Sequence, residues 1–241
     1  MRISCVMTQF HQTQEGERLL TYASALARSV GVELILVVDL PTDADHGLVL
    51  ARLQKRHDGR IRFGRLQDVA CQRGTLIVTN ELFAREDVMI LRPFSEAAFD
   101  RSATKCLLIP FGNKETCLFA GRIGVMIAKQ LGLDIVFYHT TWQVPGVESV
   151  DPLDHMDAQA RHIQGSLQYQ ASVYEVNCRV VVEMADTVVR GIAIAAVREQ
   201  AAMIVTAKST RVLRDSYAER LVRIGLVPVL TLGHTCEEVA R

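Results

Sequence analysis

Ala27-Arg28-Ser29-Val30-Gly31-Val32-Glu33-Leu34 returns as Ala128-Lys129-Gln130-Leu131-Gly132-Leu133-Asp134-Ile135. Each stretch is the end of a helix, a glycine and the start of an apolar run. A glycine at that place supplies the left-handed residue that closes a helix. At the same offset, Cys5 in the run Ile3–Met7 falls on Cys106 in the run Cys106–Ile109. The first of each pair of runs precedes a helix-length stretch, Glu15–Val30 or Glu115–Leu131. In the first, Leu19, Leu20, Ala23, Leu26, Ala27 and Val30 recur at three- and four-residue steps and make one apolar face. Short apolar runs flanking an amphipathic helix read as parallel strands buried on both faces, and strand, helix, strand is a right-handed βαβ unit.

Two further matches follow in the same order. Thr75-Leu76-Ile77-Val78-Thr79 resembles Ala202-Met203-Ile204-Val205-Thr206, and Val88-Met89-Ile90-Leu91 resembles Val229-Leu230-Thr231-Leu232, each beside a proline, Pro93 or Pro228. Four ordered matches describe an internal repeat, the signal that decides a fold before any local detail. The chain therefore reads as α/β, two tandem doubly wound parallel-sheet units. Residues 1–93 form a reduced first unit, 94–104 a linker and 105–241 a fuller second unit.

Within the first unit the expected order is strand Ile3–Thr8, helix Glu15–Val30, strand Glu33–Asp39, helix His46–His57, strand Arg60–Phe63, a short helix at Leu66–Gln72, and strands Thr75–Thr79 and Val88–Leu91. The second is expected to run strand Cys106–Pro110, helix Glu115–Leu131, strand Asp134–His139, a long loop, helix His155–Glu175, strand Arg179–Glu183, helix Thr187–Ala201, strand Met203–Thr206, helix Ser216–Ile224 and strand Val229–Leu232. Only Asn80–Asp87 separates the last two strands of the first unit, too little for a full crossover helix.

Bulk properties narrow the function. The chain has 241 residues, enough for two small domains, with 27 basic against 27 acidic residues. That balance lacks the basic excess of a nucleic-acid binder. No apolar run reaches the roughly 20 residues of a membrane span, and Met1–Met7 is too short for a signal peptide. The six cysteines, Cys5, Cys71, Cys106, Cys117, Cys178 and Cys236, show no zinc spacing and suit a reducing cytoplasm.

Lys105–Pro110 followed by a helix and Gly132, together with the ending Ser216-Tyr217-Ala218-Glu219-Arg220 and Val227-Pro228-Val229-Leu230, resembles the universal stress protein family in its tandem form. The resemblance is close over 105–232 and weaker over 1–93. It implies five-stranded Rossmann-like units that pair through their last strands, here Val88–Leu91 with Val229–Leu232. It also implies a possible ATP or AMP site, of which this chain keeps little. The family's aspartate falls on Gly112, and its three loop glycines fall on Ala207, Thr210 and Asp215; Ser216 alone is retained. The loop between Thr210 and Asp215 is shortened, and Asp215 would set a carboxylate against phosphate.

The residues left to line a ligand crevice are Gly112, Asn113, Thr140, Ala207, Lys208, Ser209, Thr210 and Ser216. The ends of parallel strands are where doubly wound sheets bind ligands. Lys208–Arg211 also read as a solvated loop, and Ser216 as a helix cap. His139 reads as a hydrogen-bonded residue ending its strand, His155 and His162 as one wet helical face, and Gly121 and Gly124 as points of close helix–sheet packing. The long loop Thr140–Asp154, with the only tryptophan, Trp142, reads as a cover for the crevice, a contact with a partner, or an ordinary long connection. No nucleophile elbow, Walker motif or carboxylate pair is present, so no catalytic or metal residue is assigned. The expected function is that of a non-enzymatic stress-response regulator acting through an unknown protein partner or a small ligand, without a standard nucleotide cofactor. A further homodimer is compatible with this reading. The alternatives are a nucleotide-binding enzyme or weak ATPase of the same superfamily, and a regulatory partner of a membrane transporter.

Overall fold

Apolar runs that alternate with helices should stack as parallel strands, and they do. A computed structural model describes residues 3–10, 13–38, 51, 61–64, 74–79, 89–93, 104–142, 151–207 and 217–233. The first unit contributes β1 (Cys5–Phe10), α1 (Gln14–Val30), β2 (Glu33–Val38), β3 (Ile61–Phe63), β4 (Thr75–Val78) and β5 (Met89–Arg92). The second contributes β6 (Cys106–Pro110), α2 (Thr116–Leu131), β7 (Asp134–Thr141), a 3-10 turn (Pro152–His155), α3 (Ala158–Val173), β8 (Cys178–Met184), α4 (Val188–Arg198), β9 (Ala201–Ala207), α5 (Tyr217–Ile224) and β10 (Val229–Leu232). The expected helices at 46–57 and 66–72 and the linker 94–104 lie almost wholly outside the described residues.

All the described strands join one 10-stranded sheet in the order β3-β2-β1-β4-β5-β10-β9-β6-β7-β8. Each half is parallel within itself and repeats the same order. The halves meet where β5 and β10 pair antiparallel, with Leu230 opposite Leu91 and Thr231 opposite Ile90. Two apolar edges that would otherwise invite aggregation thus cover one another.

The repeat persists at the level of single hydrogen bonds. Gly31 (φ 73°) and Gly132 (φ 64°) both close their helices in the left-handed region. Val32 N–H donates to Ala27 O at 3.0 Å, and Leu133 N–H to Ala128 O at 3.0 Å. A side chain at either glycine would meet the left-handed penalty.

One core runs beneath both units on the face that carries α1, α2 and α3, and includes Leu20, Leu26, Leu76, Leu91, Leu107, Phe137, Leu167 and Leu230. On the opposite face of the second unit α4 and α5 cover Leu108, Val136, Tyr138, Ile204 and Val229. A polar clamp also crosses between the units. The Gln130 amide donates to Ile3 O at 2.9 Å, and its oxygen accepts from Ile3 N–H at 3.1 Å.

Several boundaries differ from those expected. β1 begins at Cys5 rather than Ile3 and continues to Phe10, because its register with β2 pairs Cys5 with Glu33 and Phe10 with Val38. β7 continues past His139 to Thr141, held by pairing to β8 through Met184. The helix expected over 155–175 is two elements. Asp151 accepts from Leu153 N–H and starts the 3-10 turn at Pro152, while Asp157 accepts from Ala160 N–H at 2.7 Å and starts α3. His155 and His162 therefore do not share a helix, and His155 is buried while His162 is exposed. The helix expected at 187–201 ends at Arg198, and Ala201 already belongs to β9, next to Cys106 of β6. Gly124 packs close to the sheet as expected, since a Cβ there would lie 2.4 Å from Ile109 Cδ1. Gly121 instead lets α3 approach, its Cβ position falling 1.9 Å from Leu167 Cδ2.

Candidate functional site

β6, β7 and β9 are adjacent, and α2 and α4 pack against opposite faces of the sheet, so the carboxyl ends of these strands open into a crevice. It measures about 400 Å³. Its walls include Gly112 and Asn113 after β6, Thr140 on β7 and Ala207 at the end of β9. Four of the eight residues singled out from sequence are thus brought together. The other four, Lys208, Ser209, Thr210 and Ser216, lie outside the described residues, as does Asp215.

Phe111 and His139 form one wall. Their rings stack with centroids 5.0 Å apart and planes at 27°. His139 Nδ1 lies 2.9 Å from Phe111 O. A carbonyl only accepts, so Nδ1 carries the proton there and Nε2 is left for other contacts. His139 is thus hydrogen-bonded as expected, but from within β7 rather than from its end.

Asn113 and Asp157 tie the loop after β6 to the start of α3. Asn113 Nδ2 donates to Asp157 Oδ2 at 3.2 Å, while Asp157 Oδ1 caps α3. Both carboxylate oxygens are therefore occupied, which makes Asn113 a brace for the crevice as well as part of its lining.

Tyr138 and Thr140 point from β7 toward α4. Gly191 makes this possible, since a Cβ there would fall 2.8 Å from the Tyr138 hydroxyl and 3.3 Å from Thr140 Oγ1. The Tyr138 hydroxyl donates to Glu183 at 3.3 Å, and Glu183 is held by Arg198 at 2.6 Å. Burial raises the Tyr138 pKa, with the Thr140 hydroxyl acting in the opposite direction. Thr140 is itself 8% exposed, and the Tyr138 hydroxyl is the neighbour its own hydroxyl acts on.

α2 opens onto the crevice without a side-chain cap, because Glu115 makes none. Thr116 and Cys117 of its first turn line the crevice. Burial pushes the Cys117 thiol up, while the backbone N–H groups of Gly112 and Lys114 pull it back. Lys114 and Asp157 bring one positive and one negative charge to the lining. Trp142, 62% exposed, and Tyr217, 48% exposed, stand at its rim.

Sequence reasoning missed Cys117, Tyr138, Asp157 and Tyr217. Asp157 carried a legible signal, as an aspartate three residues before an alanine of a helical run. Tyr138 did not stand out, because an aromatic in an apolar strand reads as core.

No family model and no curated protein matches the sequence. Solved structures do. A universal stress protein from Archaeoglobus fulgidus DSM 4304 superposes with a TM-score of 0.68 over 97% of this chain and 99% of that one, at 12% identity. A functionally unknown protein from Pseudomonas aeruginosa PAO1 gives a TM-score of 0.60 over 99% of this chain and 97% of that one, at 13% identity. The fold is therefore that of a tandem universal stress protein, with the crevice at the carboxyl ends of the second unit's strands.

Among the described lining residues Lys114 is the one full cation and Asp157 the one carboxylate. No group of His, Cys, Asp and Glu among the described residues could hold a metal ion, and none of the described helices is long and apolar enough to cross a membrane.

Proposed function

We propose that the chain is a non-enzymatic regulator of the universal stress type that binds a small ring compound of nucleoside size in the second unit's crevice and presents the bound state to a protein partner. The observation that carries this is a cavity of about 400 Å³ at the strand ends, walled by the stacked Phe111 and His139 rings and by the buried Thr140 hydroxyl. A ligand acceptor or donor at that point would pair with the hydroxyl. A nucleoside or nucleoside monophosphate meets the aromatic walls without asking for a polyphosphate cradle.

A thermal-shift titration with adenosine, AMP, cyclic AMP and ATP tests the reading. Ligand at a hundredfold excess over its Kd adds about 2.7 kcal/mol of stability. Adenosine or AMP should raise the melting temperature by several degrees, more than ATP does. Thr140→Val should abolish the shift, with the melting temperature of the unliganded variant as the control for folding. Absence of any shift in the wild type, or an equal shift in the valine variant, would overturn the proposal.

A further inference from the structure

We propose that β8 is a self-complementary docking edge through which a second copy of this chain extends the sheet. This inference stands apart from the ligand crevice. The strand order ends at β8, so among the described residues no strand covers its outer edge. At seven residues, Cys178-Arg179-Val180-Val181-Val182-Glu183-Met184, it is far longer than the three-residue β3 that ends the sheet on the other side. A long, apolar, open edge offers a row of unpaired backbone groups to another strand.

The sequence of this edge favours one arrangement. An antiparallel pair of identical strands with its two-fold at Val181 places Arg179 opposite Glu183 of the second copy, and Glu183 opposite Arg179. The same register sets Val180 against Val182, Val181 against itself, and Cys178 against Met184. Opposite charges and β-branched pairs directly across from each other are the favourable cross-strand combinations. Moving the two-fold to Val180 sets Arg179 against Val181, and moving it to Val182 sets Glu183 against Val181, so both ion pairs are lost. A parallel pairing in register would set Arg179 against Arg179 and Glu183 against Glu183. The charges therefore select a closed antiparallel dimer and reject open parallel growth.

The intrachain environment holds these charges in place. Arg179, Val181 and Glu183 lie on the face that carries α4, where Arg179 pairs with Glu199 and Glu183 with Arg198. Both groups remain partly exposed, with side-chain exposures of 56% for Arg179 and 33% for Glu183. They are pre-oriented by their neighbours yet keep surface for a second partner. Val180, Val181 and Val182 are all only half-buried, which leaves an apolar strip between the charges.

Sedimentation equilibrium over a concentration series tests the proposal, with melting temperature as the control for folding. The wild type should show a reversible monomer–dimer equilibrium. Arg179→Glu alone sets like charges across the two-fold, and Glu183→Arg alone does the same. Each should weaken self-association at least about tenfold. Mixing the two variants restores both ion pairs in a heterodimer, so the mixture should dimerise where neither variant does alone. A wild type that stays monomeric throughout would overturn the proposal, and so would a dimer insensitive to both substitutions. Loss of the dimer in both variants without recovery on mixing would also overturn it, by refuting the register.

Discussion

Truncating Leu91 and Leu230, the pair that joins the two halves of the sheet, tests whether the repeat is one structure or two. They face one another in the β5–β10 register, and both are fully buried in the core that runs beneath both units. Deleting a buried leucine side chain to alanine costs about 2–5 kcal/mol. For a chain of this length each kcal/mol lowers the melting temperature by about 2–4 °C. Each single variant should therefore melt about 4–20 °C below the wild type. The two side chains share one site, so their losses should not add, with a coupling of about 0.5–3 kcal/mol in a double-mutant cycle. Urea unfolding followed by Trp142 fluorescence is the informative assay. Trp142 is the only tryptophan and lies in the second unit, while Leu91 lies in the first. Leu91→Ala should lower the midpoint that Trp142 reports. An unchanged Trp142 midpoint with a lowered global signal, or strictly additive losses, would refute the shared sheet.

Other consequences follow from single groups. Burial raises the Cys106 thiol to about 11 from 9.0. A raised acid is neutral in the folded state while its unfolded counterpart ionises first, so this contribution is intact below pH 9 and is lost between about pH 9 and 11. Stability should fall over that window, and Cys106→Ala should flatten the fall in urea titrations across pH. Gly191→Ala should destabilise, because the overpacking cost of about 1–3 kcal/mol against Tyr138, Ala185 and Thr140 outweighs a helix-propensity gain of about 1 kcal/mol. It should also weaken ligand binding, as read by thermal shift. Cys117 lines the crevice whereas Cys106 is buried elsewhere in the core, so a bound ligand should slow alkylation of Cys117 by a small iodoacetamide and leave Cys106 unchanged, as followed by peptide mass.

The sheet was largely legible because its signals are local. Gly31 and Gly132 end helices whichever fold surrounds them, and each apolar run became a strand in the expected order. Pairing of the last strands followed from two like runs that each needed cover. What the sequence hid depends on contacts made at a distance. β1 reaches Phe10 because β2 offers Val38 beside it, a fact invisible in Gln9-Phe10 alone. The break between His155 and α3 follows from Asp157 capping Ala160 N–H, a contact concealed in the sequence by a continuous helical pattern. In the crevice, Gly112, Asn113, Thr140 and Ala207 were legible through the strand-end rule. Tyr138 was not, because its role depends on Gly191 leaving room for it from an element some fifty residues away in sequence.

Electron density for crystals of the protein as purified, and again after soaking with adenosine, tests the crevice reading most directly. The account predicts a planar ring against the wall formed by Phe111 and His139, with a polar atom within hydrogen-bond distance of Thr140 Oγ1. A well-ordered crevice holding only solvent after soaking would contradict it.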